Sequence, residues 1–328
     1  AGLFDETSFA KFEVQGPGAL ELLQHLCAND VDRPPGSVTY TQMLNRRGGI
    51  ECDFTVTRLG DDRFRVVTGT AFGNHDMAWV RKHMPGDGSV QLHDVTSAYA
   101  CFGLWGPRAR DILTPLTRSD LSNQAFRYMT AQEISIGSVP CLAVRVTYVG
   151  ELGWEIYCPA EYGQRLWDML WQAGREHGMR ACGYRAIDAL RIEKGYRVWG
   201  SDMTPEDTPD EAGVSFAVKP DKGDFVGREA LLATRLRAPD RRLCCLVLDD
   251  PRSVCLGSEP VRVGGEITGR VTTGGYGFAV AASIAYAYLP ASASETGTDV
   301  EVEVFGEWIP ARVAAEPLWD PAGERIRA

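Results

Sequence analysis

A repeated pattern constrains the fold most: two stretches of the chain each run from a strand into a Gly-Pro pair and then into a helix. They are KFEVQGPGALELL (11–23) and CFGLWGPRARDIL (101–113). Proline fits the first turn of a helix because its missing N–H has no partner there. Two copies are too few for a solenoid. The pattern therefore predicts two related α+β subdomains, unless the match between two short segments is a coincidence.

Beyond about residue 240, the sequence changes to short alternating segments that are typical of strands. Two glycine-containing pairs between these segments indicate hairpin turns, at Gly264-Gly265 and Gly306-Glu307. The chain is therefore predicted to be α+β, with a C-terminal β-barrel. The expected domains are an α+β region at 1–238, with two interleaved subdomains at about 1–95 and 96–238, and a barrel at 239–328.

Local signals place three further elements in the α+β region. Apolar residues recur at helical spacing over about 161–177, and a second helix over about 184–195 ends at Gly195. TPEDTP (204–209) predicts a capped turn, with Thr204 as the N-cap, Pro205 at N1 and Asp207 at N3.

The charge and the cysteines argue against several classes of protein. The net charge is −10 and no basic stripe occurs, so we expect no nucleic-acid partner. No apolar run reaches the roughly 18 residues of a membrane span, so none is expected. Nine cysteines without a CxxC pair indicate reduced, buried thiols, a cytoplasmic location and no zinc site. The opening AGLFDETSFAKFEV has no charged leader and is typical of a start inside something larger.

The sequence motifs for nucleotide binding and metal binding are absent or incomplete. TGGYGFAV (273–280) has Val280 where the dinucleotide fingerprint needs a third Gly or Ala, and it lies among strands. No Walker loop occurs, and the acidic run at 202–211 lacks the spacing of an EF-hand. We therefore expect neither a Rossmann-bound nucleotide nor a metal ion in this chain.

The strand-like stretch GGIECDFTV (48–56) carries acidic residues on one face. Its alternation separates an apolar set (Ile50, Cys52, Phe54 and Val56) from a polar set (Glu51, Asp53 and Thr55). Spacing alone does not decide whether these acids are the solvated side of a sheet or groups that perform chemistry. The same question is open for Glu193, late in a helix, and for Glu151 and Glu155, in an alternating segment.

Three longer stretches resemble a known family. They are RVTYVGELGWEIYCPAEYG (145–163), GYRAIDALRIEKGYRVWGSDMTPEDTP (183–209) and GRVTTGGYGFAVAASIAYAYLP (269–290). All three resemble the aminomethyltransferases, the folate-binding T-proteins of the glycine cleavage system. They resemble most the C-terminal folate half of dimethylglycine and sarcosine dehydrogenases and oxidases. The resemblance implies a three-domain cloverleaf with tetrahydrofolate in a central channel.

The resemblance also gives Asp53 a role. In T-proteins the glycine pair is followed by two aspartates, the second of which is catalytic; here Cys52 and Asp53 stand at those positions. Transfer of a one-carbon unit to tetrahydrofolate passes through a cation and releases a proton. A fixed carboxylate in a dry pocket can stabilise that cation and accept or relay that proton.

Other residues match family positions that contact folate. Glu193 matches the residue that holds the pterin through two parallel hydrogen bonds. Tyr40 matches a tyrosine close to the catalytic aspartate, and Thr68 stands where T-proteins carry asparagine. The remaining expected contacts are Tyr148, Glu151 and Trp154 in another wall of the pocket, and Arg228 and Trp319 at its mouth.

The implied function is a tetrahydrofolate-dependent one-carbon transferase. It would accept a methylene or methyl unit from an N-methylated amine of the dimethylglycine or sarcosine type, giving 5,10-methylene- or 5-methyl-tetrahydrofolate. The alternatives are an autonomous folate-dependent O-, S- or N-demethylase and a non-catalytic folate-binding module of a flavoprotein complex. FAD is expected only if a separate flavoprotein half or subunit exists, and such a dehydrogenase is the expected protein partner.

Overall fold

The computed structural model describes residues 1–328 and contains seventeen strands and eight α-helices. The strands are β1 (Gly2–Asp5), β2 (Ala10–Gln15), β3 (Val38–Leu44), β4 (Ile50–Arg58), β5 (Arg63–Thr68), β6 (Gln91–Asp94), β7 (Tyr99–Trp105), β8 (Ala131–Ile136), β9 (Val139–Val144), β10 (Gly153–Pro159), β11 (Arg180–Cys182), β12 (Arg241–Leu248), β13 (Pro260–Val263), β14 (Glu266–Gly277), β15 (Ala282–Pro290), β16 (Asp299–Val304) and β17 (Glu307–Ala314). The helices are α1 (Ala19–Leu26), α2 (Gly73–His83), α3 (Ala109–Leu113), α4 (Gly163–Arg175), α5 (Tyr184–Lys194), α6 (Pro209–Ala212), α7 (Arg228–Thr234) and α8 (Glu324–Arg327). None of these helices combines the length and the apolar character needed to cross a bilayer.

Two sheets form the α+β region, and each is covered by helices on one face. The first has the order β3-β4-β5-β2-β6, and α1 and α2 bury its apolar face, for example Leu23 and Val80 against Phe54. The second has the order β11-β1-β7-β10-β9-β8, with α3 and α4 packed against Leu104 and Trp154. The opposite faces of the two sheets are turned toward each other, since Val38 and Val67 share a core cluster with residues of the second sheet.

The repeated strand–Gly-Pro–helix pattern is present in both sheets, as β2 followed by α1 and β7 followed by α3. Gly16 and Gly106 both adopt a positive φ, +116° and +130°. A side chain at Gly16 would place its Cβ 2.4 Å from the carbonyl oxygen of Ser89. The prolines lie just before the helices. The helix that follows Pro17, for example, begins at Ala19 with Gly18 as its N-cap.

The two sheets exchange segments along the chain. Strand β1 belongs to the second sheet, where it pairs with β7 and β11, although it comes first in the chain. Conversely, Ala212 and Leu231 of α6 and α7 pack against Leu44 and Ile50 of the first sheet. The expected division near residues 95 and 96 therefore does not separate the sheets in space. The first strand belongs to the second sheet, and the last helices of the region pack against the first sheet.

The C-terminal module is a closed six-stranded barrel with the order β12-β15-β14-β13-β16-β17. The hairpins join β13 to β14 through Gly264 and Gly265, and β16 to β17 at Gly306, as predicted. Cys244 points into the barrel and the adjacent Cys245 points outward toward α5, because successive side chains of a strand alternate.

The predictions are close for the two long helices and for the capped turn. Helix α5 ends at Gly195, which has a φ of +74°. The predicted capped turn is present: the Thr204 amide donates to the Asp207 carboxyl, and the Asp207 amide donates to the Thr204 carbonyl at 3.0 Å. The capped helix is α6, whose N-cap is Thr208, in the repeated pattern TPED–TPDE. A helix from Thr204 would need an N–H at position 209, and Pro209 has none.

Candidate active site

Asp53 lies on the face of the first sheet that is turned toward the second sheet. The predicted alternation is present from Cys52 onward: Cys52 and Phe54 are buried under the helices, while Asp53 retains some accessible surface on the other face. A β-bulge at Glu51 interrupts it, so Ile50 packs with Leu44 in a separate cluster and does not share the face of Cys52. Val38 and Val67 share that face and pack against Tyr157 of the second sheet. Asp53 therefore lines a recessed space between the sheets, which we call the central space.

Two neighbours on β3 hold the Asp53 carboxyl. Gln42 is paired with Asp53 in the β3–β4 register, and its Nε2 donates to Oδ1 at 2.8 Å. Burial raises the pKa of Asp53 to about 7, although hydrogen bonds from Tyr40 and Gln42 act in the opposite direction. The negative charge of Asp76 adds to the rise. Asp53 is thus an acid whose two protonation states are both populated near neutral pH.

Aromatic side chains surround the central space. Tyr148 stacks on Tyr196, with ring centroids 5.8 Å apart, and its hydroxyl donates to the carbonyl of Arg197 at 2.6 Å. Burial raises the pKa of the Tyr148 hydroxyl, and the negative charges of Asp202 and Asp53 add to the rise. Tyr40 stacks on the exposed Phe216, at 5.9 Å between centroids. Each tyrosine is thus held in place by an aromatic neighbour.

Two further carboxyls, Glu155 and Glu6, lie on the second-sheet side of the central space. Glu155 is on β10, in the opposite phase to Trp154, and accepts a hydrogen bond from the Tyr157 hydroxyl. Glu6 is 1% exposed and neither of its carboxyl oxygens has a partner. Burial raises the pKa of both, and repulsion by Glu155 adds to the rise at Glu6. The sequence shows Glu155 only as a charged strand position; its phase relative to Trp154 is the signal that indicates an inward carboxyl.

The loop at 147–151 connects the central space to the barrel. It carries Tyr148 toward Asp53 and Glu151 toward Trp319, whose Nε1 donates to Glu151 at 3.2 Å. The backbone amide of Trp319 donates to the carbonyl of Glu193 at 3.0 Å. The structure therefore brings together three residues that the sequence placed in the folate site, namely Glu151, Glu193 and Trp319.

The carboxyl of Glu193 is already partly engaged by the barrel. Its Oε1 accepts hydrogen bonds from the backbone amides of Ala279 at 2.6 Å and Val280 at 3.4 Å. Its Oε2 is buried without a partner. The expected contact through two parallel hydrogen bonds would require Oε1 to leave the barrel turn, so a single oxygen is free for a ligand.

Two expected binding residues, Trp154 and Thr68, face away from the central space, and Arg228, expected at the mouth, stays a prediction. Trp154 is 0% exposed and packs in the helix-side core of the second sheet, because it alternates with Glu155. Thr68 is buried on the helix side of the first sheet, and its hydroxyl donates to the Asp53 carbonyl at 3.5 Å. Arg228 begins α7 and donates to the carbonyl of Pro220. Trp154 and Thr68 therefore support the walls of the site and do not line it.

One group of potential metal ligands occurs near Asp53. Cys52, His75 and Asp76 place a sulfur, a ring nitrogen and a carboxylate oxygen within 4.8 Å of one another. The His75 Nδ1 is 3.0 Å from Asp76 Oδ1, and burial raises the pKa of the Cys52 thiol well above its usual range. A hydrogen-bonded protonated thiol accounts for this arrangement, so the sequence-based expectation of no metal stays a prediction.

Loss of the Gln42 hydrogen bond should change the ionisation of Asp53. In Gln42→Leu, the charged carboxylate loses a donor, and we expect the pKa of Asp53 to rise by about one unit. The inflection of the pH–rate profile for the one-carbon transfer that the resemblance implies should move upward by the same amount. Gln15→Leu, on the exposed end of β2, is the matched control and should leave the inflection in place. An unmoved inflection in Gln42→Leu would mean that another group titrates.

Comparisons with known proteins agree with this architecture. The family model GCVT N-terminal domain matches residues 1–222, and the glycine cleavage T-protein C-terminal barrel domain matches residues 241–320. Glycine cleavage system aminomethyltransferase T from Bartonella henselae has the same fold, with a TM-score of 0.88, 28% identity, and coverage of 98% of this chain and 86% of that chain. The predicted fold is confirmed.

Two curated relatives cover nearly the whole chain. One is 4-methylaminobutanoate oxidase (formaldehyde-forming) of Paenarthrobacter nicotinovorans, 40% identical over 99% of this chain and 39% of the relative. The other is mitochondrial dimethylglycine dehydrogenase of Rattus norvegicus, 36% identical over 97% of this chain and 37% of the relative. The chain thus spans about two fifths of the length of these relatives. It belongs to the glycine cleavage T-protein family of tetrahydrofolate-binding aminomethyltransferases.

Proposed function

We propose that this chain transfers a one-carbon unit, released from an N-methylated amine, to tetrahydrofolate. The names of two relatives support the donor class, since dimethylglycine and 4-methylaminobutanoate are both N-methylated amines. One of those names also specifies formaldehyde as a product, which suggests a unit at the oxidation level of formaldehyde. The product is then 5,10-methylene-tetrahydrofolate.

The residues around the central space fit tetrahydrofolate. A pterin presents N–H donors along one edge, and Gln42 Oε1 and Glu193 Oε2 are buried oxygens without a partner. The rings of Tyr40 and Tyr148 offer flat surfaces for stacking. When bound, tetrahydrofolate supplies the nitrogen atoms that accept the one-carbon unit. We assign its binding to Tyr40, Tyr148 and the free oxygens of Gln42 and Glu193.

Asp53 carries the proposed chemistry. Gln42 fixes one carboxyl oxygen, so the orientation of the group is set before a ligand enters. As a carboxylate it stabilises positive charge that develops beside it, and with a pKa of about 7 it can also accept a proton and release it again near neutral pH. An ionisable carboxyl kept in a buried position is the single observation that most favours catalysis over binding alone.

Oxidation of the amine is assigned to a separate flavoprotein. The sequence of this chain has no Rossmann fingerprint, and its relatives are about two and a half times as long. We therefore propose that an FAD-containing dehydrogenase half or subunit produces the one-carbon unit that reaches the central space. The compartment in which this occurs is proposed to be the cytoplasm, from the nine reduced thiols.

A direct assay tests the transferase proposal. Titration calorimetry with tetrahydrofolate should show saturable binding. With formaldehyde supplied in place of the amine, the chain should accelerate formation of 5,10-methylene-tetrahydrofolate above the spontaneous condensation rate. Binding without acceleration would favour a folate-binding module that leaves the chemistry to its partner. An absence of binding would contradict the proposal.

A further inference from the structure

A group of three potential metal ligands lies on the α2 side of the first sheet, behind Asp53. Cys52 Sγ, a ring nitrogen of His75 and a carboxylate oxygen of Asp76 lie within 4.8 Å of one another. Cys52 is on β4, and the other two residues are on the first turn of α2. The proposed function uses none of these side chains, so what the group binds is a question separate from the transfer chemistry.

A β-bulge adds a fourth side chain, that of Glu51, to this group. Glu51 is an extra residue in β4, at the point where the register with β3 shifts. A bulge interrupts the alternation of a strand and changes the direction in which its side chains point. Glu51 Oε1 consequently lies 3.3 Å from His75 Nε2, on the side of the sheet that α2 covers.

The hydrogen bonds within the group leave its negative charge unbalanced. Asp76 is 1% exposed, and its Oδ2 is buried without a hydrogen-bond partner. His75 is the ion-pair partner of both Asp76 and Glu51, and no lysine or arginine pairs with either. One imidazolium carries too little charge to balance two carboxylates. Because a buried carboxylate without sufficient positive charge is costly, a divalent cation would stabilise this arrangement.

His75 has the orientation of a metal ligand. Its Nε2 faces Glu51, and its Nδ1 lies 3.0 Å from Asp76 Oδ1. A neutral imidazole carries one N–H, so when Nε2 donates to Glu51 the Nδ1 lone pair points at Asp76. A cation bound by both atoms replaces that repulsion with two attractive contacts. Histidines that bind metals usually donate their other ring N–H to a carboxylate or a carbonyl, as His75 does here.

We propose that Cys52, His75 and Asp76 bind a zinc ion, and that Glu51 orients His75 from the far side of the ring. Thiolate, imidazole and carboxylate are all zinc ligands, whereas calcium and magnesium take oxygen ligands. Zinc bonds of about 2.0–2.3 Å at tetrahedral angles place the ligand atoms about 3.3–3.8 Å apart, so small side-chain rotations enclose the ion. The Cys52 thiol releases its proton to solvent as the metal–sulfur bond forms, and no electrons are exchanged.

This site departs from the expectation that the chain binds no metal ion. That expectation rested on short sequence motifs, and the ligands here come from β4 and α2, which no such motif spans. The ion enters from solvent past His75, whose side chain is 40% exposed. Once bound, it ties α2 to β4, the strand that carries Asp53, and so holds the candidate active site from behind.

Cobalt is the spectroscopic probe of the site. The chain is freed of metal by chelation and kept reduced without added thiols. It should then bind one equivalent of Co²⁺ with the charge-transfer absorption of a cobalt–thiolate bond, and Zn²⁺ should abolish this band. Competition with a chromophoric chelator gives the zinc affinity. Cys52→Ala should lose the band and bind zinc more than about 100-fold more weakly. Glu51→Gln should keep the band and weaken zinc binding by about 10–100-fold.

Cys141→Ala and His83→Ala are the matched controls. Cys141 is another buried thiol, on β9 of the second sheet, and His83 is at the other end of α2. Both variants should bind zinc as the parent does. Glu51→Gln changes a partly exposed side chain and carries the test if Cys52→Ala does not fold. Absence of the cobalt–thiolate band in the parent, or equal zinc affinities in the parent and Cys52→Ala, would overturn the proposal. Neither measurement involves folate, so either result leaves the proposed function to its own assay.

Discussion

Asp53→Asn should lower the rate of one-carbon transfer by about 10²–10⁴-fold while the affinity for tetrahydrofolate changes little. The substitution keeps the size of the side chain and its position opposite Gln42, but removes the charge and the proton acceptor. Stabilisation of a developing cation belongs to the transition state, so its loss affects the rate more than ground-state binding. The measurement is methylene-tetrahydrofolate formation beside a calorimetric titration of the same preparation.

The same variant should be more stable than the parent at alkaline pH. The folded-state pKa of about 7 lies above the usual value of 3.8 for Asp. Between these values the folded state holds a proton that the unfolded state has released, so stability falls as pH rises and the full penalty applies above about pH 7. Asparagine removes this penalty. We expect the Tm of Asp53→Asn to exceed that of the parent at pH 8, with the difference disappearing near pH 4.

Asp61→Asn, in the exposed turn after β4, is the control for both measurements. It removes an equal charge from the same hairpin and should change neither the rate nor the pH dependence of the Tm. Near-normal transfer by Asp53→Asn would make Asp53 an acid of structural importance only, and the function would then rest on family membership.

Of the substitutions proposed, Asp202→Ala should lower the free energy of unfolding the most. Asp202 is 0% exposed and pairs with Arg191 of α5 at 2.8 Å. Its carboxyl also accepts hydrogen bonds from the hydroxyls of Thr272 and Thr273 on the barrel, at 2.6 and 2.8 Å. Removing one partner leaves the buried guanidinium without compensation, which costs about 3–5 kcal/mol. Denaturant unfolding followed by tryptophan fluorescence measures the loss.

Asp299→Ala provides the comparison for this loss. Asp299 also pairs with an arginine, Arg312, but the two side chains are 80% and 63% exposed. Exposed pairs contribute little, so the denaturation midpoint of Asp299→Ala should stay near that of the parent. Equal midpoints for Asp202→Ala and Asp299→Ala would show that water reaches the junction between α5 and the barrel.

The sequence predicted the direction of side chains correctly where the two-residue alternation of a strand determines it. Strand alternation placed Asp53 opposite Cys52, and the structure has that arrangement. The same rule explains two errors, because Trp154 and Thr68 are out of phase with the residues that line the central space. By the phase of β10, Glu155 and not Trp154 is the residue that faces the central space.

Contacts between distant segments could not be predicted in this way. Glu193 is held by the amides of Ala279 and Val280, in a barrel turn far along the chain, and no local pattern in its helix indicates this. Gln42 was missed although the β3–β4 hairpin register pairs it with Asp53, since register depends on the turn between the strands. The pairing of β1 with β7 and β11 is equally non-local.

The pairing of β1 with β7 and β11 sets an order for folding during synthesis. Strand β1 leaves the ribosome before both of its neighbours: the antiparallel β7 follows at Tyr99–Trp105, and the parallel β11 only at Arg180–Cys182. At typical translation rates, β1 waits roughly 10–35 s for this partner. The first sheet is complete once β6 has been made and can fold around α1 and α2, whereas the edge of β1 that pairs with β11 stays open on the nascent chain. This interval is when a chaperone would have the most to bind.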